Sequence, residues 1–196
     1  LMDEPLSNLD ALLRLHMRTE LKRLHRELKK TFVFVTHDQE EAMTLATRVA
    51  VLREGSLIQF DDPREIYRRP ANRFIAEFIG RPAMNTFDGT VRGGVFHADG
   101  FTCPLPGRPD GPVVLGIRPE QIQIVDASAG DSARFAVDVV EAVEPDVLIF
   151  ARSQASKLIV RTASDDRAFK PGQPLHLRFP ANALHVFDAT SGARLP

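Results

Sequence analysis

The sequence lacks the features of a disulfide scaffold, a membrane span or a nucleic-acid binder. A single cysteine, Cys103, among 196 residues excludes an internal disulfide and fits a reducing compartment. Nowhere does an apolar run approach the roughly 18 residues of a membrane helix, and no secretory signal opens the chain. The 25 basic and 26 acidic residues nearly cancel, to a net charge of −1, so charge gives no support to a nucleic-acid partner. The chain starts on Leu1, without an initiator methionine, and reads as a fragment that begins inside a domain. What remains is ordinary for a globular protein, with 43% hydrophobic and 26% charged residues in a length that allows one large domain or two small ones.

Leu1-Met2-Asp3-Glu4-Pro5 runs two apolar residues into adjacent carboxylates, and Ser7-Asn8-Leu9-Asp10 then opens a long amphipathic helix. Side chains alternate along a strand, so Asp3 and Glu4 are expected to point in different directions. One could hold hydrated Mg²⁺ while the other takes a proton from water. Alone, the pentapeptide reads as a strand ending in a solvated turn. Thr36-His37-Asp38, after the apolar run Phe32-Val33-Phe34-Val35, adds a second polar cluster at a second strand end. Two strands joined by one helix describe a βαβ unit, in which active groups gather at the carboxyl ends of the strands.

LMDEP, SNLD and THDQEEA, in this order and spacing, resemble the second half of the ATP-hydrolysing subunit of ATP-binding-cassette (ABC) transporters. The resemblance implies that Asp3 and Glu4 end the Walker B strand, with Asp3 holding the Mg²⁺ shell and Glu4 polarising water. It makes Ser7, Asn8, Leu9 and Asp10 the D-loop, crossing the interface between two ATPase subunits, and His37 the switch histidine at the γ-phosphate. No G-x-x-x-x-G-K-[ST] phosphate loop is present, nor the family's Q-loop or signature loop. ATP and Mg²⁺ are therefore expected as cofactors of the parent protein, and none bound to this chain.

From Asp10 to Lys30 the pattern is helical, with Leu13, Met17, Leu21, Leu24 and Leu28 in one apolar stripe. Arg14, Arg18, Lys22, Arg26 and Lys29 fall largely off it and read as a solvated face, with His16 and His25 as surface residues. Ser7 and Asp10 have capping-box spacing, as do Asp38 and Glu41, so Glu40 and Glu41 are assigned to the cap and first turn of a helix. Residues 31–36 read as a core strand. Residues 48–53 and 56–60 read as a hairpin around Glu54-Gly55, Pro63 starts a helical piece, and 72–79 form another short helix. Gly80-Arg81-Pro82 breaks the pattern, which predicts domains 1–82 and 83–196.

Beyond residue 83, β-like runs at 87–91, 95–98, 113–117, 121–125, 135–143, 147–151, 157–161 and 175–179 are separated by Gly, Pro and Asp. This spacing suggests a small barrel or sandwich. Gly116-Ile117-Arg118-Pro119-Glu120 resembles a motif of the accessory OB-type (TOBE) domain of solute importers. Phe78-Ile79-Gly80-Arg81-Pro82-Ala83-Met84-Asn85 and His185-Val186-Phe187-Asp188 resemble the carbohydrate-importer subgroup, typified by the maltose importer. The turn after Val143-Glu144-Pro145 is shorter than that subgroup's. Arg118 and Glu120 are open between partner contacts and a local ion pair.

The expected fold is thus an α/β remnant of a P-loop ATPase domain followed by an all-β OB-type (TOBE) barrel domain. The resemblance implies sugar or glycerol-phosphate import, with polyamine, iron or sulfate import as alternatives. Its implied partners are a second ATPase subunit, transmembrane permease subunits and a regulatory protein at the TOBE domain, with the subunit peripheral on the cytoplasmic face of the inner membrane. The alternatives of another class are a standalone dimerisation or regulatory module and a small-oxyanion-binding β module.

Overall fold

A computed structural model describes residues 1–163 and 168–196, and its packing divides the chain into two compact units, Leu1–Pro70 and Ala71–Pro196. In the first unit, strand β1 (Met2–Asp3) and strand β2 (Phe34–Val35) pair in parallel, with Met2 opposite Phe34 and Asp3 opposite Val35. Helix α1 (Ala11–Leu28) connects them, so the βαβ connection is present. Strand is confined to two residues of the 31–36 run, and Val33 and Val35 are both more than half exposed, so the expectation of a core strand is corrected.

Helix α1 also departs from its pattern. It contains no buried residue, and Leu13, Met17, Leu24 and Leu28 are 37–50% exposed. The best-covered face instead carries arginine: the side chain of Arg18 is 14% exposed and its guanidinium meets Glu40 at 2.6 Å. Arg14 donates to the carbonyl of Leu9 at 3.0 Å and lies 3.8 Å from Asp38. These arginines are therefore not a solvated face. Long charged side chains cover surface with their methylenes and take their charge to a partner, which period alone does not reveal. His25, read as a surface residue, is half-buried with its ring edge-on to Phe32 at 5.4 Å.

Helix α2 (Gln39–Leu45) follows, then the antiparallel hairpin of β3 (Val49–Arg53) and β4 (Ser56–Asp61) and helix α3 (Pro63–Arg68). Glu54 and Gly55 turn the hairpin with φ of 51° and 77°. Two successive left-handed residues match the twist of a two-residue hairpin, and glycine takes the second at no steric cost. Proline opens α3 at its first turn, where its missing N–H leaves no gap.

The second unit starts with helix α4 (Arg73–Phe78), which is capped by Asn72. Ala76 of this helix joins Met84, Val114 and Phe187 in one buried cluster. Helix 72–79 therefore packs with the β-rich unit, and the division falls at Pro70/Ala71, ahead of the 82/83 boundary drawn from the Gly-Arg-Pro break. The unit contains β5 (Asn85–Arg92), β6 (Val95–Ala98), β7 (Phe101–Pro104), β8 (Gly111–Ile117), β9 (Gln123–Val125), β10 (Ala133–Val143), β11 (Asp146–Ser153), β12 (Ser156–Thr162), β13 (Pro174–Arg178) and β14 (His185–Asp188). They form two five-stranded sheets, ordered β12-β11-β10-β13-β9 and β14-β8-β5-β6-β7.

Both sheets contribute to one core, in which Phe87, Val91, Phe96 and Leu115 meet Phe135, Ile149, Val160 and Leu177. Phe101 sits at its aromatic centre, 4.9 Å from Phe87, 5.3 Å from Phe179 and 5.5 Å from Phe135 between ring centroids. At one seam the side chain of Asn85 stands in for a strand residue. Its Nδ2 donates to the carbonyl of Ile159 at 2.9 Å, and the Ile159 N–H donates to its Oδ1 at 2.8 Å. Gly89 is required by close approach, because a Cβ there would lie 2.4 Å from the His97 carbonyl and from the Phe96 ring.

Candidate functional site

The parallel pair β1–β2 brings the two polar clusters of the first unit to the same end. The N–H of Glu4 donates to the Val35 carbonyl at 2.8 Å, continuing the ladder by one bond beyond Asp3. Glu4 then leaves strand geometry with φ of 41°. A left-handed conformation is uncommon outside glycine, and it is held here from both sides. The Glu4 carbonyl accepts the Ser7 N–H at 3.2 Å and the Ser7 hydroxyl at 3.0 Å. The direction of the Glu4 side chain therefore comes from a turn, and not from the strand alternation that the sequence suggested.

That turn delivers the carboxylate to the imidazole. Glu4 Oε1 lies 2.7 Å from His37 Nδ1, across 33 residues of chain. Both side chains are exposed, and the hydrogen bond to Glu4, followed by its negative charge, raises the histidine above its ordinary value. Asp3 is exposed at the end of β1, next to this pair. A single carboxylate in that position suits an ion such as Mg²⁺, which keeps several waters and takes its remaining ligands from phosphate oxygens. Among the described residues, no group of three or more His, Cys, Asp or Glu side chains could hold a metal by itself.

The segment between Glu4 and α1 differs from the capping box expected of it. Asp10 is the cap, and its side chain accepts the Leu13 N–H at 2.9 Å. Ser7 is committed to the Glu4 carbonyl instead, Asn8 is exposed, and the Leu9 carbonyl accepts from Arg14. At α2, Asp38 caps as expected and accepts the Glu40 N–H at 2.8 Å. Glu40 and Glu41 lie in the first turn as assigned, and Glu41 is in addition 4% exposed and accepts the Thr36 hydroxyl at 2.8 Å, while that hydroxyl takes the Asp38 N–H at 3.0 Å.

In the second unit, Arg118 is an interior residue, so its side chain is not on a partner-facing surface. It is 1% exposed, and its guanidinium donates to the carbonyls of Ala76, at 3.2 Å, and Ile79. These acceptors lie at the C-terminal end of α4, where backbone carbonyls lack helical partners and a positive charge is favoured. Two other polar groups are passive. Burial, then the charges of Arg194 and Arg118, lower His185 to about 4, so it is neutral and accepts from Arg194 at 2.8 Å. Burial pushes the Cys103 thiol up to about 12, which makes it an unreactive core residue. An open cavity of about 480 Å³ is lined by Arg81, Pro82, Leu148, Phe150 and Arg161, among others. Arg161 is paired there with Asp146 at 2.5 Å.

Comparison with known proteins places these features in a family context. Residues 80–122 match the MalK OB fold domain and residues 115–187 match the TOBE domain. The chain is 44% identical over 207 aligned residues to the xylose/arabinose import ATP-binding protein XacK of Haloferax volcanii, covering all of this chain and 54% of that protein. It is 46% identical over 202 residues to the sn-glycerol-3-phosphate import ATP-binding protein UgpC of Escherichia coli, covering all of this chain and 56% of that protein. The chain thus spans slightly more than half the length of the curated relatives it matches. A crystal structure of the cytoplasmic molybdate-binding protein ModG aligns with 52% of the chain at 14% identity and a TM-score of 0.42, too slight a likeness to carry weight. No described helix is long and apolar enough to cross a membrane.

Proposed function

We propose that the chain, which is similar over its whole length to import ATP-binding proteins and matches the MalK OB fold and TOBE domains, is the C-terminal part of the ATP-hydrolysing subunit of a solute-import ABC transporter. The observation that carries this reading is the contact between Glu4 and His37 at the ends of adjacent parallel strands. In the full-length subunit Glu4 accepts a proton from the attacking water. His37, held by Glu4 and kept cationic more readily than an ordinary histidine, contacts the terminal phosphoryl group. Asp3 would hold Mg²⁺, which supplies charge neutralisation to the phosphates when bound. Ser7, Asn8, Leu9 and Asp10 form the D-loop toward a second ATPase subunit.

Of the remaining assignments, the substrate class follows the names of the relatives, and the partners and location follow the motif resemblance. The substrate class is a sugar or glycerol phosphate, the partners are permease subunits and a second copy of the subunit, and a regulatory protein contacts the TOBE domain. The subunit lies peripherally on the cytoplasmic face of the membrane. Phosphoryl transfer depends mainly on positioning and charge, so the 196-residue chain, lacking a phosphate loop, neither holds nor hydrolyses ATP by itself. Calorimetric titration with Mg²⁺-ATP is expected to give no heat of binding, whereas the full-length subunit binds. Micromolar binding to the chain alone would contradict the division of labour proposed here.

One observation favours a second reading for the chain on its own. The exposed leucines of α1 present apolar surface that a soluble monomer seldom leaves open. As an isolated molecule it would act as a self-association module. Light scattering is expected to show mass rising with concentration, and a monomer at every concentration would dismiss this reading.

A further inference from the structure

Glu41 is the one acidic side chain among the buried polar residues described, and the chemistry above does not use it. A buried carboxylate is retained at a cost unless something binds it. Its partner is the hydroxyl of Thr36, at 2.8 Å. That hydroxyl also accepts the Asp38 N–H at 3.0 Å. A threonine hydroxyl has a single proton to donate, so accepting from one group while donating to the other fixes its rotor and its direction. The chain of bonds runs from the Asp38 N–H through Thr36 to Glu41.

The two backbone positions this relay ties down are 36 and 38, which bracket His37. Helix α2 fixes Glu41, and its cap is Asp38, whose carboxylate accepts the Glu40 N–H. The exposed imidazole of His37 is therefore carried on a backbone anchored on both sides, and it meets Glu4 at 2.7 Å. In a plain capping box the acid would take the cap residue's N–H directly. Here the threonine hydroxyl is interposed, and the segment it immobilises is the one that presents the histidine.

We infer that Glu41 is a positioning residue: acting through the Thr36 hydroxyl, it holds the His37 backbone so that the imidazole faces Glu4. The inference rests on the proposed phosphoryl-transfer site for its purpose, but not for its geometry, and the test separates the two. In the 196-residue chain, long-range ¹H–¹⁵N correlation in mildly alkaline solution reads which ring nitrogen of His37 carries the proton. Wild type is expected to show the Nδ1-protonated form favoured by Glu4. Thr36→Val and Glu41→Ala are expected to lose that preference, with the fold checked by circular dichroism. Thr36→Ser and Glu41→Gln retain the hydroxyl or an acceptor for it, and are expected to keep it. Loss in Glu41→Gln as complete as in Glu41→Ala, or wild-type ring signals in Thr36→Val, would overturn the inference.

In the full-length subunit, Thr36→Val is expected to lower kcat by roughly 10–100-fold, the scale of a small misplacement of a reacting group. KM for ATP stays near wild type, because the phosphate-holding groups are elsewhere. Unchanged kcat beside an altered ring signature would mean that the histidine is positioned by Glu41 but not used in the reaction. An inactive wild-type subunit with the expected ring signatures would remove the ATPase reading and leave the positioning intact.

Discussion

Glu4→Gln in the full-length subunit is expected to leave Mg²⁺-ATP binding near wild type while kcat falls by about 10²–10⁴-fold, the range for loss of a positioned general base. The substitution separates geometry from basicity. A glutamine Oε1 can still accept from Nδ1–H of His37 at the place where Glu4 now lies 2.7 Å away. Glutamine also suits the turn no worse than glutamate, since the φ of 41° is held by the Val35 carbonyl and by Ser7. What is lost is the proton acceptor. Equilibrium binding of a fluorescent nucleotide and single-turnover hydrolysis measure the two separately. Turnover within about tenfold of wild type would show that Glu4 is not the base.

Arg118→Ala is expected to produce the largest loss of stability, about 3–5 kcal/mol, in the second unit. Truncation removes a side chain only 1% exposed and takes the guanidinium donor from the Ile79 carbonyl and from the Ala76 carbonyl, which keeps only the long Met84 N–H bond at 3.4 Å. A buried acceptor left without its partner costs more than the bond contributed, and the vacated volume adds to that. For a unit of this size, thermal unfolding should move down by roughly 10–15 °C. Arg118→Lys should recover little, because an ammonium point charge does not reproduce the planar fork that spans two carbonyls. A melting temperature within about 3 °C of wild type for Arg118→Ala would refute the account.

What could be read from the sequence was local and periodic. The cap Asp38, the Glu54-Gly55 hairpin and Pro63 at a helix start each follow from one or two residues acting on the adjacent backbone. The pairing of Glu4 with His37 was legible at the level of strand ends, because two apolar runs and one helix leave few ways to close a βαβ unit. What escaped was set by partners distant in sequence. Arg18 is covered because Glu40 lies across from it, and nothing in the helix period says so. Ser7 gives way to Asp10 as the α1 cap because the left-handed turn at Glu4 takes its hydroxyl. Arg118 follows a strand in which Leu115 and Ile117 are fully buried, and that continuity was the available sign of an interior guanidinium. Strand β7 carries only four residues ending in proline, too few for alternation to show, yet it places Phe101 among the aromatic rings.

The amide of Asn85 bears on the order of assembly. It joins residues 74 apart. Closing a flexible loop of that length costs roughly 4 kcal/mol in chain entropy, against about 1 kcal/mol for each of the two hydrogen bonds gained. Such a clasp cannot nucleate anything. The clasp therefore depends on the shared core, in which Leu158 and Val160 of β12 pack with Phe87 and Val91 of β5, to bring its two ends together.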